Sequence, residues 1–239
     1  MLNINYLLEK IKKNNLLNTI LFRNYVLFKK KLWVLKDSRS IRNGKNKSLF
    51  VDLGANIGES YLWFSKHLKK NIKFELFEPN PNCFKKLKYL KDIKKNFSIK
   101  NFGVGAEAGI FKFYGSLESD GNNFQQSGSI AKDYVENTPF YKISNQKVID
   151  VKIINFSDYL IEESKKFHKI FVKMDIEGSE VDLLESLIKN NTINLISVLY
   201  VEFHSQYMNA PMCQITKRRE QKIIKYIKSN TDIELRLWD

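Results

Sequence analysis

The chain has 239 residues, 43% of them hydrophobic and 13% aromatic, with 40 Lys and Arg against 26 Asp and Glu and a formal net charge of +14. That apolar content supplies a packed core and excludes a wholly disordered or collagen-like chain. Cys83 and Cys213 lie 130 positions apart with no C-x-x-C spacing, which excludes a disulfide framework or a zinc cluster and fits a reduced compartment.

Residues 1–50 carry a net +10 and residues 66–100 a net +8, so the remainder is mildly acidic. Lys outnumbers Arg 34 to 6, whereas base readers lean on guanidinium forks, so nucleic acid is not an expected partner. In the first block Leu7, Leu8, Ile11, Leu16, Leu17, Ile20, Leu21, Tyr25 and Phe28 recur at helical spacing. The reading is a basic helical extension over residues 1–45 that packs on a catalytic domain over residues 46–239. The other use of its basic face is contact with anionic lipid or a charged glycan. Glu9, Lys10, Lys12 and Lys13 interrupt any signal sequence. The longest apolar run, 193–203, falls short of the ~20 residues a membrane span needs. A cytoplasmic enzyme is expected, with peripheral attachment to the inner membrane face through the basic helices. The polar run Asp37–Ser48, with Gly44, predicts a linker.

From Leu49 strand-like and helical patterns alternate. Strands are expected at Leu49–Leu53, Ile72–Phe77, Phe97–Val104, Ile170–Met174, Ser197–Phe203 and Ile233–Trp238. Helices are expected at Tyr61–Leu68, Cys83–Leu90, Glu180–Lys189 and Lys217–Lys228. This is βαβ order and implies an α/β fold with a mostly parallel sheet. Gly109 to Ile154 breaks the rhythm and reads as an insertion of short strands, with a polar loop from Ser116 to Ser129.

The segment Val51-Asp-Leu-Gly-Ala-Asn-Ile-Gly58 ends an apolar strand in an acid and turns on glycines into a helix, which lets backbone N–H groups approach a ligand. Glu78, followed by Pro79, stands 20 residues after Gly58, where a carboxylate can accept from both ribose hydroxyls of a nucleoside. The glycine spacing is not G-x-G-x-x-G, so a pyrophosphate site is disfavoured and S-adenosyl-L-methionine, which has no phosphate, is favoured. Asp52 is placed to counter that cofactor's cationic methionine end.

The turn at 51–58, Glu78-Pro79, Asn101 to Gly109, Val151 to Leu160, Val201-Glu-Phe-His204 and above all Lys173-Met-Asp-Ile-Glu-Gly-Ser-Glu180 together resemble the FkbM-type S-adenosylmethionine-dependent methyltransferases. The resemblance spans about residues 49–208. It implies a class I, Rossmann-like sheet of seven strands, the seventh to be supplied around Met208–Ile215, and an O-methyltransferase of sugars or secondary metabolites. On this reading Asp52, Gly54, Asn56, Gly58, Glu78, Pro79, Val104 and Asp175 hold the cofactor.

Methyl transfer to a hydroxyl needs the acceptor oxygen positioned and its proton removed. Asp175, Glu202 and His204 follow strand ends and converge on the crevice. His204 is the expected base, because a neutral imidazole works near neutral pH. Asp175 is the alternative, or the N-cap of a helix starting near Glu177. Asp175, Glu177, Glu180 and Glu202 offer oxygen ligands for Mg²⁺ or Ca²⁺, but two of them share a helix start and need not point one way, so no metal is expected. The competing readings are a nucleic-acid methyltransferase, disfavoured by the lack of an Asn/Asp-Pro-Pro-Tyr motif, and a non-catalytic module that kept the cofactor turn.

Overall fold

The computed structural model describes residues 15–43, 47–68, 72–94, 97–115, 128–139 and 147–238. Helix α1 (Asn15–Asn43) precedes β1 (Ser48–Leu53), α2 (Glu59–His67), β2 (Ile72–Phe77), α3 (Pro81–Ile93), β3 (Phe97–Lys100), β4 (Gly103–Gly105) and β5 (Gly109–Gly115). There follow β6 (Gly128–Ser129), α4 (Lys132–Glu136), β7 (Lys147–Asn155), α5 (Phe156–Ser164), β8 (Lys169–Met174), α6 (Glu180–Lys189), β9 (Val198–Val201), α7 (Met212–Asn230) and β10 (Glu234–Leu237).

Strands β1, β8 and β9 are buried along nearly their whole length because helices cover both faces of the sheet they form. Six strands lie in the order β10-β9-β8-β1-β2-β3, and every adjacent pair is parallel. On one face Val51, Leu53, Val172 and Leu199 pack against Leu184 and Leu187 of α6 and Ile223 and Ile227 of α7. On the other, Phe50, Phe74 and Tyr200 pack against Phe64 of α2 and Val34 and Ile41 of α1. The order reverses between β1 and β8, and an α/β sheet opens its ligand crevice beyond the carboxyl ends of the strands at such a point. The expected fold class, a mostly parallel sheet flanked by helices behind an N-terminal helix, is the observed one.

Several details differ. The seventh strand is not found among the described residues. Pro211 has no N–H to give a ladder, and α7 begins at Met212, inside the stretch proposed for it. The linker expected at Asp37–Ser48 is helical as far as Asn43, because Asp37 and Ser38 are buried. Asp37 accepts a hydrogen bond from the Tyr200 hydroxyl and lies 3.4 Å from the Arg236 guanidinium, so a polar sequence became a buried helical turn with partners. Helix α1 packs through Val34 and Ile41, while Tyr25 and Phe28, expected on the packing stripe, are 42% and 59% exposed. The earlier members of that stripe, Leu7, Leu8 and Ile11, lie outside the described residues.

The strand expected over Phe97–Val104 splits in two. Asn101 turns the chain between β3 and β4 and donates from Nδ2 to the carbonyls of Glu78 (3.1 Å) and Pro79 (3.4 Å). Strand β4 then joins a second sheet, β4-β7-β5-β6, in which β5 runs antiparallel to both β6 and β7. The expected insertion is this sheet, and residues 116–127 of its polar loop lie outside the described residues.

Candidate active site

A solvent-open cleft lies at the carboxyl edge of the parallel sheet. Its lining comes from the turn after β1 (Gly54, Asn56), the end of β2 (Glu78, Pro79), strands β4 and β7 (Val104, Ile153), and the turn after β8 (Asp175, Glu177). The second sheet thus closes the side that the parallel sheet leaves open.

The turn after β1 is wedged between two strands. Gly54 and Ala55 donate their N–H groups to the Phe77 carbonyl, and Asp175 N donates to Leu53. Gly54 has φ +75°, and a Cβ there would stand 1.9 Å from the Asp175 carbonyl oxygen, so only glycine fits. Asn56, with φ +50°, occupies the left-handed region that Asn tolerates among non-glycine residues, which accounts for Asn at this place. Its N–H donates to Glu78 Oε2 at 2.7 Å, while Asn80 N donates to Glu78 Oε1 at 2.8 Å. Burial pushes the Glu78 carboxyl up to about 7, although both N–H bonds pull the other way. Each oxygen keeps a lone pair for a further donor.

Two expected cofactor residues are placed otherwise. A Cβ on Gly58 would meet Leu90 and Leu87 of α3, so this glycine lets two helices pack rather than bringing backbone to a ligand. Asp52 is fully buried beneath the turn, 3.6 Å from the Lys173 ammonium, and does not reach the cleft wall. Asp175, whose Oδ2 accepts from Lys173 at 2.9 Å, does line the cleft. Burial alone would push Lys173 down, but Asp52 and Asp175 overcome that and hold it protonated. No role for Lys173 was evident from its place in the sequence. The signal was a lysine inside the buried run Ile170-Phe-Val-Lys-Met.

Asp175 is not a helix N-cap. Helix α6 begins five residues later, at Glu180, with Ser179 in the cap position. Glu180 is buried and folds back to accept from Ile176 N at 2.9 Å and Gly178 N at 3.2 Å, and its Oε1 also meets His204 Nδ1 at 2.9 Å. His204 Nε2 points between Asp175 Oδ1 (3.7 Å) and Glu177 Oε2 (3.6 Å). Burial alone would lower the imidazole, but Glu180, Glu177 and Asp175 push it up to about 10. These carboxylates favour the imidazolium, the form that has no lone pair with which to take a proton.

Glu202 comes directly after β9, and its N–H donates to the Met174 carbonyl, which sets it beside Asp175 on the edge of the sheet. Its side chain forms no hydrogen bond with a described residue, and burial raises its carboxyl above the ordinary range. From the insertion, Tyr134 packs on Gly178, where a Cβ would come within 2.4 Å of the ring, and the Ser129 hydroxyl donates to the Glu177 carbonyl at 2.6 Å. These residues hold the acidic turn from outside, and no motif in the sequence pointed to them.

A family model described as a methyltransferase FkbM domain matches residues 52–230. No curated protein matches the chain. Among solved structures, the chain is similar to a methyltransferase FkbM from Methylobacillus flagellatus KT, at 16% identity and a TM-score of 0.41, over 73% of this chain and 37% of that one. It is also similar to the yeast methylglyoxal/isovaleraldehyde reductase Gre2, solved in complex with NADPH, at 14% identity and a TM-score of 0.34, over 79% of this chain and 56% of that one. The matched regions thus span well under two thirds of either protein.

Proposed function

The chain belongs to the FkbM methyltransferase-domain family, and from that premise we propose that it transfers a methyl group from S-adenosyl-L-methionine to a hydroxyl of a carbohydrate, glycolipid or related secondary-metabolite acceptor. The observation that carries this reading is the pairing, across one cleft, of a buried nucleoside-type carboxylate at Glu78 with the Asp175 and Glu177 carboxylates, behind which Glu202 stands beside Asp175.

The residues present fit the cofactor. Asn56 Oδ1 is a buried acceptor with no partner among the described residues, on a residue that lines the cleft, and Glu78 offers two oxygens to ribose hydroxyls beside it. The turn at Gly54 is held against Phe77 so that backbone, not side chain, floors this end. Pro79 and Val104 form the wall for the base, and the Asp175 carboxylate is the counter-charge for the methionine end. When bound, S-adenosylmethionine supplies a methyl carbon made electrophilic by its sulfonium.

At the other end the chain must orient a hydroxyl and remove its proton. We assign proton removal to Glu202, which stands beside Asp175 with its carboxylate free of hydrogen bonds to described residues. Lys173, locked between Asp52 and Asp175, fixes the Asp175 carboxylate rather than meeting the acceptor. The test is a screen of sugars, nucleotide-sugars and oligosaccharides with a radiolabelled methyl donor. Labelled O-methyl product that disappears in a Glu202→Gln protein supports the reading. A protein that binds S-adenosylhomocysteine but labels only RNA, or nothing, contradicts it.

A location follows from α1. Leu27, Phe28, Leu32 and Leu35 are each 45% exposed or more, on a helix that also presents Lys29 and Lys31 outward. Apolar side chains amid lysines suit an anionic lipid surface, and we propose that this helix rests on one. No described helix is long and apolar enough to cross a membrane.

A further inference from the structure

The His204 environment contains more negative charge than the family reading accounts for. Asp175, Glu177, Glu180 and Glu202 all act on one imidazole, and the nearby ammonium of Lys173 is already engaged by Asp52 and Asp175. One oxygen of Asp175, one of Glu177 and a ring nitrogen of His204 lie within 4.8 Å of one another, the only such group among the described residues.

Two features distinguish this group from a solvated acidic patch. His204 is 5% exposed, and among the described residues its Nε2 faces Glu177 Oε2 at 3.6 Å and Asp175 Oδ1 at 3.7 Å, both beyond hydrogen-bond distance. Its Nδ1 meets Glu180 Oε1 at 2.9 Å. A carboxylate that also accepts two backbone N–H groups can only accept here, so the Nδ1 hydrogen points to Glu180 and Nε2 is the nitrogen a cation can take by displacing its proton. A carboxylate behind a histidine is the arrangement that orients metal-binding imidazoles. Asp175 is divided in the same way, with Oδ2 on Lys173 and Oδ1 toward His204.

We propose that Asp175 Oδ1, Glu177 Oε2 and His204 Nε2 bind a divalent first-row metal ion, Mn²⁺ or a congener, at the acceptor end of the cleft. Ligands at about 2.0–2.2 Å from an ion lie roughly 3.0–3.5 Å apart, so each His204 pair closes with a shift of a few tenths of an ångström. The imidazole disfavours Mg²⁺ and Ca²⁺, which take oxygen ligands, and two carboxylates with no thiolate suit Mn²⁺. Three protein ligands leave coordination positions open, and because Asp175 and Glu177 line the cleft these positions face it. An acceptor with two adjacent oxygens, such as a vicinal diol, fits them. That role rests on the methyltransferase reading, whereas the metal site itself does not.

The test is titration of the full chain with Mn²⁺, followed by electron paramagnetic resonance. One equivalent of ion is expected to leave the free aquo signal, and nitrogen hyperfine coupling from one imidazole is expected in the bound spectrum. Glu177→Gln and His204→Gln should each weaken binding at least tenfold, with melting curves showing that the variants are folded. Absence of binding, absence of nitrogen coupling in the wild type, or equal binding by folded variants would each overturn the proposal. Calorimetry with S-adenosylhomocysteine separates the two claims. Cofactor binding without Mn²⁺ binding removes the metal and leaves the methyltransferase reading. Mn²⁺ binding without cofactor binding does the reverse.

Discussion

At the Glu78 end of the cleft a single buried carboxylate has both oxygens engaged by backbone N–H groups, and the adjoining turn is held between strands by backbone bonds. At the His204 end four carboxylates crowd an imidazole, two on the turn after β8, one at the start of α6 and one after β9, and only Glu180 among them is held by backbone N–H groups. The first arrangement is rigid because moving it would break the parallel ladder. The second is adjustable, because Glu177 and Glu202 stand on turns. A site that binds one constant cofactor and positions a variable acceptor gains from this division: backbone fixes the shared part, and side chains carry the chemistry.

Substitutions at each end test the division. Gly54→Ala should have the largest effect. Its Cβ would overlap the Asp175 carbonyl at 1.9 Å, so we expect loss of S-adenosylhomocysteine binding by calorimetry and a lower melting temperature. The cost should reach the upper part of the ~1–3 kcal/mol of overpacking, or exceed it. Wild-type binding by this variant would show that the turn is not a rigid floor.

Glu202→Gln should act only on the chemical step. We expect kcat to fall by about 10²–10⁴-fold, as removal of a general base does, with cofactor affinity unchanged. An equal loss of affinity would place Glu202 at the wrong end.

Glu78→Gln should do the converse. It should weaken cofactor binding by roughly 10–100-fold, the ~1.5–3 kcal/mol of a hydrogen bond to a charged group, and leave the saturated rate nearly intact. This position also carries a pH signature. Since burial raises Glu78 to about 7, the free protein holds a proton there in acid, and a protonated carboxyl loses acceptor capacity for ribose. Affinity should therefore rise as pH climbs through 7, and Glu78→Gln should flatten the profile.

The smallest effect concerns α1. Replacing Leu27, Phe28 and Leu32 with Ser should lower co-sedimentation with phosphatidylserine vesicles and leave catalysis on a soluble acceptor unchanged.

Much of the cofactor end was legible in the sequence, because backbone geometry leaves local marks. Gly54 and Asn56 mark positive φ, Glu78 follows a strand at a fixed offset, and the strands around them are rich in apolar residues. The packing of Leu87 and Leu90 over Gly58 was not legible, because a glycine that admits a ligand and one that admits a leucine look alike in sequence. The chemistry end was visible only as a set of residues. Neither the raised imidazole at His204 nor the Asp52–Lys173–Asp175 chain could be inferred without knowing which strand ends meet. The linker at Asp37 failed for the same reason: its partners, Tyr200 and Arg236, lie more than 160 positions away in the chain.

The central claim is that the Gly54–Glu78 edge holds the nucleoside half of S-adenosylmethionine. It is tested most directly by calorimetric titration of the full chain with S-adenosylhomocysteine, and with NADPH in parallel. The account expects one equivalent of S-adenosylhomocysteine to bind and NADPH to give no heat. Binding of NADPH at that edge, or no binding of S-adenosylhomocysteine, would contradict it.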